Sequence, residues 1–234
     1  MRRLGLLVVG LWVGLGWSSG VGALQLTPAS VLASWTTAGT PGDAIVGNLP
    51  PPPAWGLEIH DGAQVLSTGG NTSGSLISDF AASGDFVFSG QFMPVGDGDR
   101  DNTGFIFGWQ SVADTYSVLW GGHPDDRWNG NYRIADTVSG AYSEFFTVHS
   151  NWSAGNWYDF SVEHAGGLYQ TRISLSGVTI HEHNFSDAAF PSGRVGIQTN
   201  SQYTYYRNLA FVPEPSTALL LGLGLAGMAA RRRV

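Results

Sequence analysis

The feature that most constrains this chain is the stretch from Gly84 to Trp120, which reads GDFVFSGQFMPVGDGDRDNTGFIFGWQSVADTYSVLW. It holds three alternating apolar runs. Phe86, Phe88 and Phe92 share one parity in the first; Phe105, Phe107 and Trp109 share one in the second; Tyr116, Val118 and Trp120 share one in the third. A side-chain period of two sends each trio to one face of a strand. Between the first two runs lies Asp97-Gly-Asp99-Arg-Asp101-Asn102. This is an oxygen-rich loop tied to a sheet core, and a cation is expected there.

Composition supports the strands. Charged residues are 12% of the 234, against about 25% in an average globular domain. Thirty-three glycines and an aromatic content of 12% suit an all-β fold with tight turns. The sequence has no cysteine, which excludes disulfides, thiolate metal sites and a cysteine nucleophile.

Both ends read as targeting signals. Arg2 and Arg3 precede an apolar run, Leu4 to Trp17, and Val21-Gly-Ala23 offers small residues for cleavage. This is the pattern of a signal peptide, residues 1–23. At the other end, Pro213-Glu214-Pro215 precedes an apolar stretch, Thr217 to Ala230, and then Arg231, Arg232 and Arg233. The stretch is shorter than the ~20 residues of an ordinary spanning helix, and the arginines would hold its end on the cytoplasmic side. This tail, residues 213–234, resembles a PEP-CTERM sorting signal. The resemblance implies a Gram-negative source and an inner-membrane-anchored precursor. It also implies recognition by an exosortase, and release to the cell surface or extracellular matrix. Both terminal helices, signal and sorting, would then be no part of the mature fold.

All eleven basic residues are arginine, and five of them lie in the two signals. Seventeen of the eighteen acids lie between Leu24 and Val212, so the mature region carries about −11. Nucleic acid as a partner is excluded, since it needs a basic footprint.

Residues 24–75 form an opening segment with the first strands. Its run Pro50-Pro51-Pro52-Pro53 cannot lie inside a sheet. Strands follow at Leu76–Phe80, in the three aromatic runs, and at Tyr132–Asp136. Ala141 to Trp157 reads as irregular. Alternation resumes at Trp157–His164, with Tyr158, Phe160 and Val162 on one face, and at Tyr169–Leu175. Gly166-Gly167 and Ser176-Gly177 are hairpin signals. Val178–Asn184, Arg194–Thr199 and Tyr203–Val212 close the domain. Ten to twelve short strands with close turns point to a jelly-roll sandwich of two antiparallel sheets. No amphipathic helix of normal length is expected in the mature region.

Several of these residues resemble a known family in order. Asp85-Phe86, Phe88-Ser89-Gly90, the acidic loop, Gly104-Phe-Ile-Phe-Gly-Trp-Gln110 and Tyr116-Ser-Val-Leu-Trp120 are similar to the C-terminal L-type-lectin-like domain of thrombospondins. So are Trp157-Tyr-Asp-Phe160 and Gly193-Arg194-Val-Gly-Ile197. The resemblance covers residues 76–212 and implies a concanavalin A-like β-sandwich that binds calcium. The animal domain's disulfide and receptor motifs are absent, so its receptor partners do not carry over. Gly121 to Ser150 departs from the family pattern.

For chemistry, Asp97, Asp99, Asp101 and Asn102 offer hard oxygens at the close spacing calcium requires. An EF-hand is excluded, because its closing glutamate would fall at position 108, which is glycine. Asp125 and Asp126 could add ligands. Trp128, beside Asn129 and Asn131, is the indole best placed to stack on a sugar; Trp109 and Trp120 fall on core faces, and Trp152 and Trp157 are further indoles. His181-Glu182-His183 puts two imidazoles on one face of what reads as an exposed edge strand. A laminarinase-type Glu-x-Asp-x-x-Glu pair is absent, and the mature region holds only Glu58, Glu144, Glu163 and Glu182. No serine elbow, phosphate loop or His-Glu-x-x-His motif occurs. The sequence therefore leads to a non-enzymatic, calcium-binding, lectin-like surface protein. It would be adhesive or glycan-binding in the exopolysaccharide or biofilm layer. A carbohydrate-active enzyme on the same sandwich, or a purely structural matrix protein, are the alternatives.

Overall fold

The computed structural model describes residues 23–39, 54–69, 72–96, 101–122, 130–186 and 189–213. In chain order the elements are β1 (Leu24–Leu26), α1 (Pro28–Ser34), β2 (Thr36–Ala38), β3 (Gly56–His60), β4 (Ala63–Ser67) and β5 (Gly74–Ala82). Next come β6 (Phe86–Pro94), β7 (Asn102–Ser111), β8 (Asp114–Gly121), β9 (Asn131–Val138) and β10 (Ala141–His149). The last five are β11 (Tyr158–Ala165), β12 (Leu168–Leu175), β13 (Val178–Ser186), β14 (Gly193–Asn200) and β15 (Thr204–Pro213). They build an all-β sandwich of two antiparallel sheets. The first has the order β13-β12-β11-β6-β15-β4-β3, with β1 also beside β15; the second has the order β10-β9-β8-β7-β14-β5-β2. The strands of the opening segment are thus woven into both sheets. The signal helix and the sorting helix lie outside the described residues. Among the described residues no helix is long and apolar enough to cross a membrane.

The aromatic trios meet where the two inner faces oppose. Phe86, Phe88 and Phe92 project from the first sheet and Phe105, Phe107, Tyr116, Val118 and Trp120 from the second, each at most 4% exposed. Phe105 stacks on Phe160 with ring centroids 4.7 Å apart, and Trp120 meets Tyr158 edge-on at 4.9 Å. Such pairs add ~0.5–1.5 kcal/mol each beyond their area burial. Tyr206 carries a hydroxyl across this core, 2.6 Å from Gln198 O and 2.7 Å from Thr103 Oγ1. A buried phenol needs such partners.

Turn chemistry sets the registers. Gly166-Gly167 and Ser176-Gly177 both have positive φ at the two central positions, as does Asp61-Gly62. That geometry twists a two-residue loop in the sense the strands already have.

Three expectations change. Trp109 does not join Phe105 and Phe107 in the core. Gly108 sits at φ +61°, the register slips after Phe107, and the bulge turns the indole to a half-buried outward position. Ala141 to Trp157 is not wholly irregular, since β10 occupies its first nine residues. Its alternation is hidden because β10 is an exposed edge strand with a bulge between Glu144 and Phe146. The helix α1 is only seven residues long; its Thr27 cap accepts from Ser30 N at 3.1 Å, with Pro28 following the cap. It buries Val31 and is followed by Trp35, which packs on Phe80 and Phe88.

The third change concerns the two histidines of β13. The strand is an edge, but its imidazoles turn inward. His181 is 8% exposed, lies parallel to Tyr132 at 4.2 Å, and meets Trp120 edge-on. His183 stacks on Phe146 at 3.7 Å. Aromatic stacking between the sheets holds these rings.

Candidate functional site

Of the predicted calcium ligands, Asp101 and Asn102 fall on the described chain; Asp97 and Asp99 lie outside it, as do Asp125, Asp126, Trp128 and Asn129. The strand ends next to the two acidic segments in sequence lie together at one end of the second sheet. Asn102 opens β7, Gly121 ends β8 opposite it, and Asn131 opens β9 on the other side. Asn102 has an employment the sequence reading did not foresee. Its Oδ1 accepts from the Arg133 guanidinium at 2.8 Å, and Arg133 also bonds Glu144 Oε1 at 3.0 Å. A cation on that same oxygen would face the guanidinium charge. Asn131 is likewise occupied, its Oδ1 lying 3.1 Å from His149 Nδ1. It is 7% exposed, so it serves the sheet more than a sugar. Among the described residues no three or more His, Asp or Glu side chains cluster as metal ligands. The aspartates of the loop are hard oxygens of the kind calcium takes. Of the sorting residues, Pro213 ends β15 opposite Phe86; Glu214, Pro215, Arg231, Arg232 and Arg233 lie outside the described residues.

A different surface is built on the outer face of the first sheet. Its outward positions run across β12, β11, β6 and β15 in register: Ser174 beside Asp159, Asp159 beside Gln91, Gln91 beside Arg207. One row further on stand Arg172, Ser161 and Ser89. Three serines make the floor low, and a cleft of about 430 Å³ opens above them, walled by Gln91, Asp159, Arg172 and Asn208. Asn208 reaches the cleft because β15 bulges between Arg207 and Ala210, with Asn208 at φ +54°. Asparagine tolerates that left-handed conformation better than most residues.

The polar groups hold each other in fixed rotamers. Gln91 Nε2 donates to Asp159 Oδ1 at 2.8 Å. Its Oε1 accepts from Arg207 Nε and Asn208 Nδ2, both at 2.9 Å. The Arg207 guanidinium lies 3.7 Å over the Trp157 ring. Next to Trp157 stand His60 and Tyr205, with His60 4.9 Å from Tyr205. Behind them the Glu58 carboxylate accepts from Ser67, Tyr203 and Tyr205 hydroxyls. Those bonds, Ser67's first, hold Glu58 below the usual carboxylate value. Burial, then the bonds to Tyr203 and Glu58, hold Tyr205 above the usual phenol value. An aromatic wall thus adjoins a floor of hydroxyls, amides and a carboxylate.

Sequence reasoning named Trp157 as an indole but missed the rest. The signal was the outward parity of β11 and β6, where Trp157, Asp159, Ser161, Ser89 and Gln91 alternate with core residues. Neither strand shows that its outward residues lie beside β15.

Comparison with known proteins adds the following. Residues 211–233 match the PEP-CTERM protein-sorting motif. The motif marks an exported protein processed at the membrane. Over 187 residues, 66% of this chain, the sequence is 23% identical to thrombospondin-2 of Mus musculus, and it spans 16% of that protein's length. Two solved structures share the sandwich. The carbohydrate-binding module CBM66 from Bacillus subtilis superposes with a TM-score of 0.54 at 14% identity, over 76% of this chain and 95% of that one. The VIP36 exoplasmic/lumenal domain in its Ca2+/Man-bound form superposes with a TM-score of 0.54 at 10% identity, over 77% and 83%. At these identities the likeness is one of fold.

Proposed function

We propose that this chain is an exported cell-surface or matrix protein whose sandwich binds glycans without cleaving them. The observation that carries the proposal is the outer-face cleft. Its Asp159, Gln91, Asn208 and three serines can exchange hydrogen bonds with sugar hydroxyls, beside the ring wall of Trp157, Tyr205 and His60. Sites for polar ligands combine an apolar surface with a few fixed polar groups in this way. The sorting motif, a carbohydrate-binding module and a mannose-bound domain among proteins of this fold support the same reading. Adhesion within the exopolysaccharide layer is the role we assign.

We assign calcium to the loop Asp97–Asn102 through Asp97, Asp99 and Asp101, with Asp125 and Asp126 as further donors from the neighbouring segment. Its work there is to order the rim of the second sheet. Trp128 and Asn129 would offer a second sugar contact on that rim.

Binding of the full chain to a glycan array, with and without calcium, tests the proposal. Hits that weaken with Asp159→Ala and Trp157→Ala support the cleft. An array without hits from a folded, calcium-loaded chain would sink it and favour a purely structural matrix role. Release of reducing ends from any bound glycan would turn the reading toward an enzyme.

A further inference from the structure

Arg172 lines the cleft and Arg207 stands just outside it, beside Gln91, and the two differ in what neutralises them. Arg172 gives its Nε and Nη2 to Glu182 Oε2, each at 2.9 Å. Among the described residues no carboxylate pairs with Arg207. Its Nε is used on Gln91 and its plane is stacked on Trp157. No partner among the described residues takes its two terminal nitrogens. The nearby acids are already engaged: Asp159 accepts from Gln91, and Glu58 takes three hydroxyls. Two fixed points hold the guanidinium rigid, and its outer edge offers two parallel N–H donors. A planar fork of this kind matches a carboxylate bidentately.

We infer that the cleft is a site for acidic glycans, with the carboxylate of a uronic acid taken by the outer edge of Arg207. This rests on the glycan-binding reading and names the class of sugar. Asp159 and Arg207 lie on either side of Gln91, two strands and so roughly 10 Å apart. The cleft therefore supplies an acceptor, and the ground next to it beyond Gln91 supplies a cation. Asp159 takes sugar hydroxyls, and Arg207 takes the carboxylate. The protein's net negative charge does not oppose this at short range, because repulsion from charges beyond ~8 Å is screened at physiological salt.

The test uses the full chain in the presence of a chelator, so that calcium cannot bridge the sugar to the acidic loop. Affinities are measured for oligogalacturonate and oligomannuronate and for the same oligomers after reduction of each carboxylate to a hydroxymethyl group. Wild type should bind an acidic form about tenfold or more tightly than its reduced counterpart, the range of a charge-assisted pair. Arg207→Gln should bring the two affinities together. Arg207→Lys should keep only part of the preference, since it retains the charge and loses the fork. Equal binding of acidic and reduced forms by wild type overturns the inference and leaves the glycan site standing, provided Asp159→Ala weakens both. Binding of neither form overturns the inference, and the glycan array then decides whether the wider reading stands. The wild-type comparison needs no variant to fold.

Discussion

His181 should make this protein acid-sensitive over a defined window. The imidazole lies flat on Tyr132, edge-on to Trp120, with Nε2 3.0 Å from Ser150 Oγ. Burial without an acidic partner pushes it down to about 4 from an ordinary 6.5. The unfolded chain therefore binds a proton near pH 6.5 that the folded chain refuses until about pH 4. Stability falls as pH falls through that window, and it is recovered above it. At about 1.36 kcal/mol per pH unit, the full loss is roughly 3 kcal/mol. His183, held low by partial burial, acts in the same sense. Asp136, held high by burial, acts in the opposite sense, and Glu58 loses its proton below its usual value. The clean measurement is thus a difference. Urea unfolding of wild type and His181→Phe at pH 7.0 and 4.5 gives four free energies, if the transition is two-state. The phenyl ring keeps the stack, and any constant packing cost cancels between the two pH values. Wild type should lose about 2–3 kcal/mol more than the variant on acidification. An equal loss in both, or a His181 resonance titrating near pH 6.5 in the folded chain, would refute the argument.

Three further outcomes follow from the packing. Gly108→Ala should cost about 2 kcal/mol or more, since a Cβ at φ +61° would stand 2.9 Å from Phe190 Cβ; a shift in melting temperature reads it. Glu144→Gln should cost about 1–3 kcal/mol by removing the carboxylate that pairs with the buried Arg133, whose guanidinium also bonds Asn102, and double-mutant cycles with Asn102→Ala should show strong coupling. Calcium at a hundredfold excess over its dissociation constant should raise unfolding free energy by about 2.7 kcal/mol. Asp99→Asn with Asp101→Asn should abolish that rise in calorimetry, and an unchanged melting temperature with calcium in wild type would remove the metal from the loop.

Much of the fold was legible in the linear pattern, because the two-residue period of a strand is a local property. Phe86, Phe88, Phe92, Phe105, Phe107, Tyr116, Val118 and Trp120 all entered the core their parity assigned. The Gly166-Gly167 and Ser176-Gly177 turns, the two-sheet class and the sorting motif were legible too, each depending on adjacent residues. Where the pattern failed, something non-local or irregular intervened. A glycine bulge turned Trp109, an edge position concealed β10, and inter-sheet stacking drew His181 and His183 inward.

The outer-face cleft belongs to the tertiary structure alone. Trp157, Asp159, Gln91, Arg172 and Arg207 come from four strands spread over more than a hundred residues, and only sheet order makes them neighbours. Nor could the sequence show that Asn102, which opens β7 straight after the acidic run, spends its oxygen on Arg133. Alternation tells which face a side chain takes, and composition tells what chemistry it carries. Which strands lie side by side, and hence which charges are neutralised and which remain free, is settled only when two sheets close on a shared core.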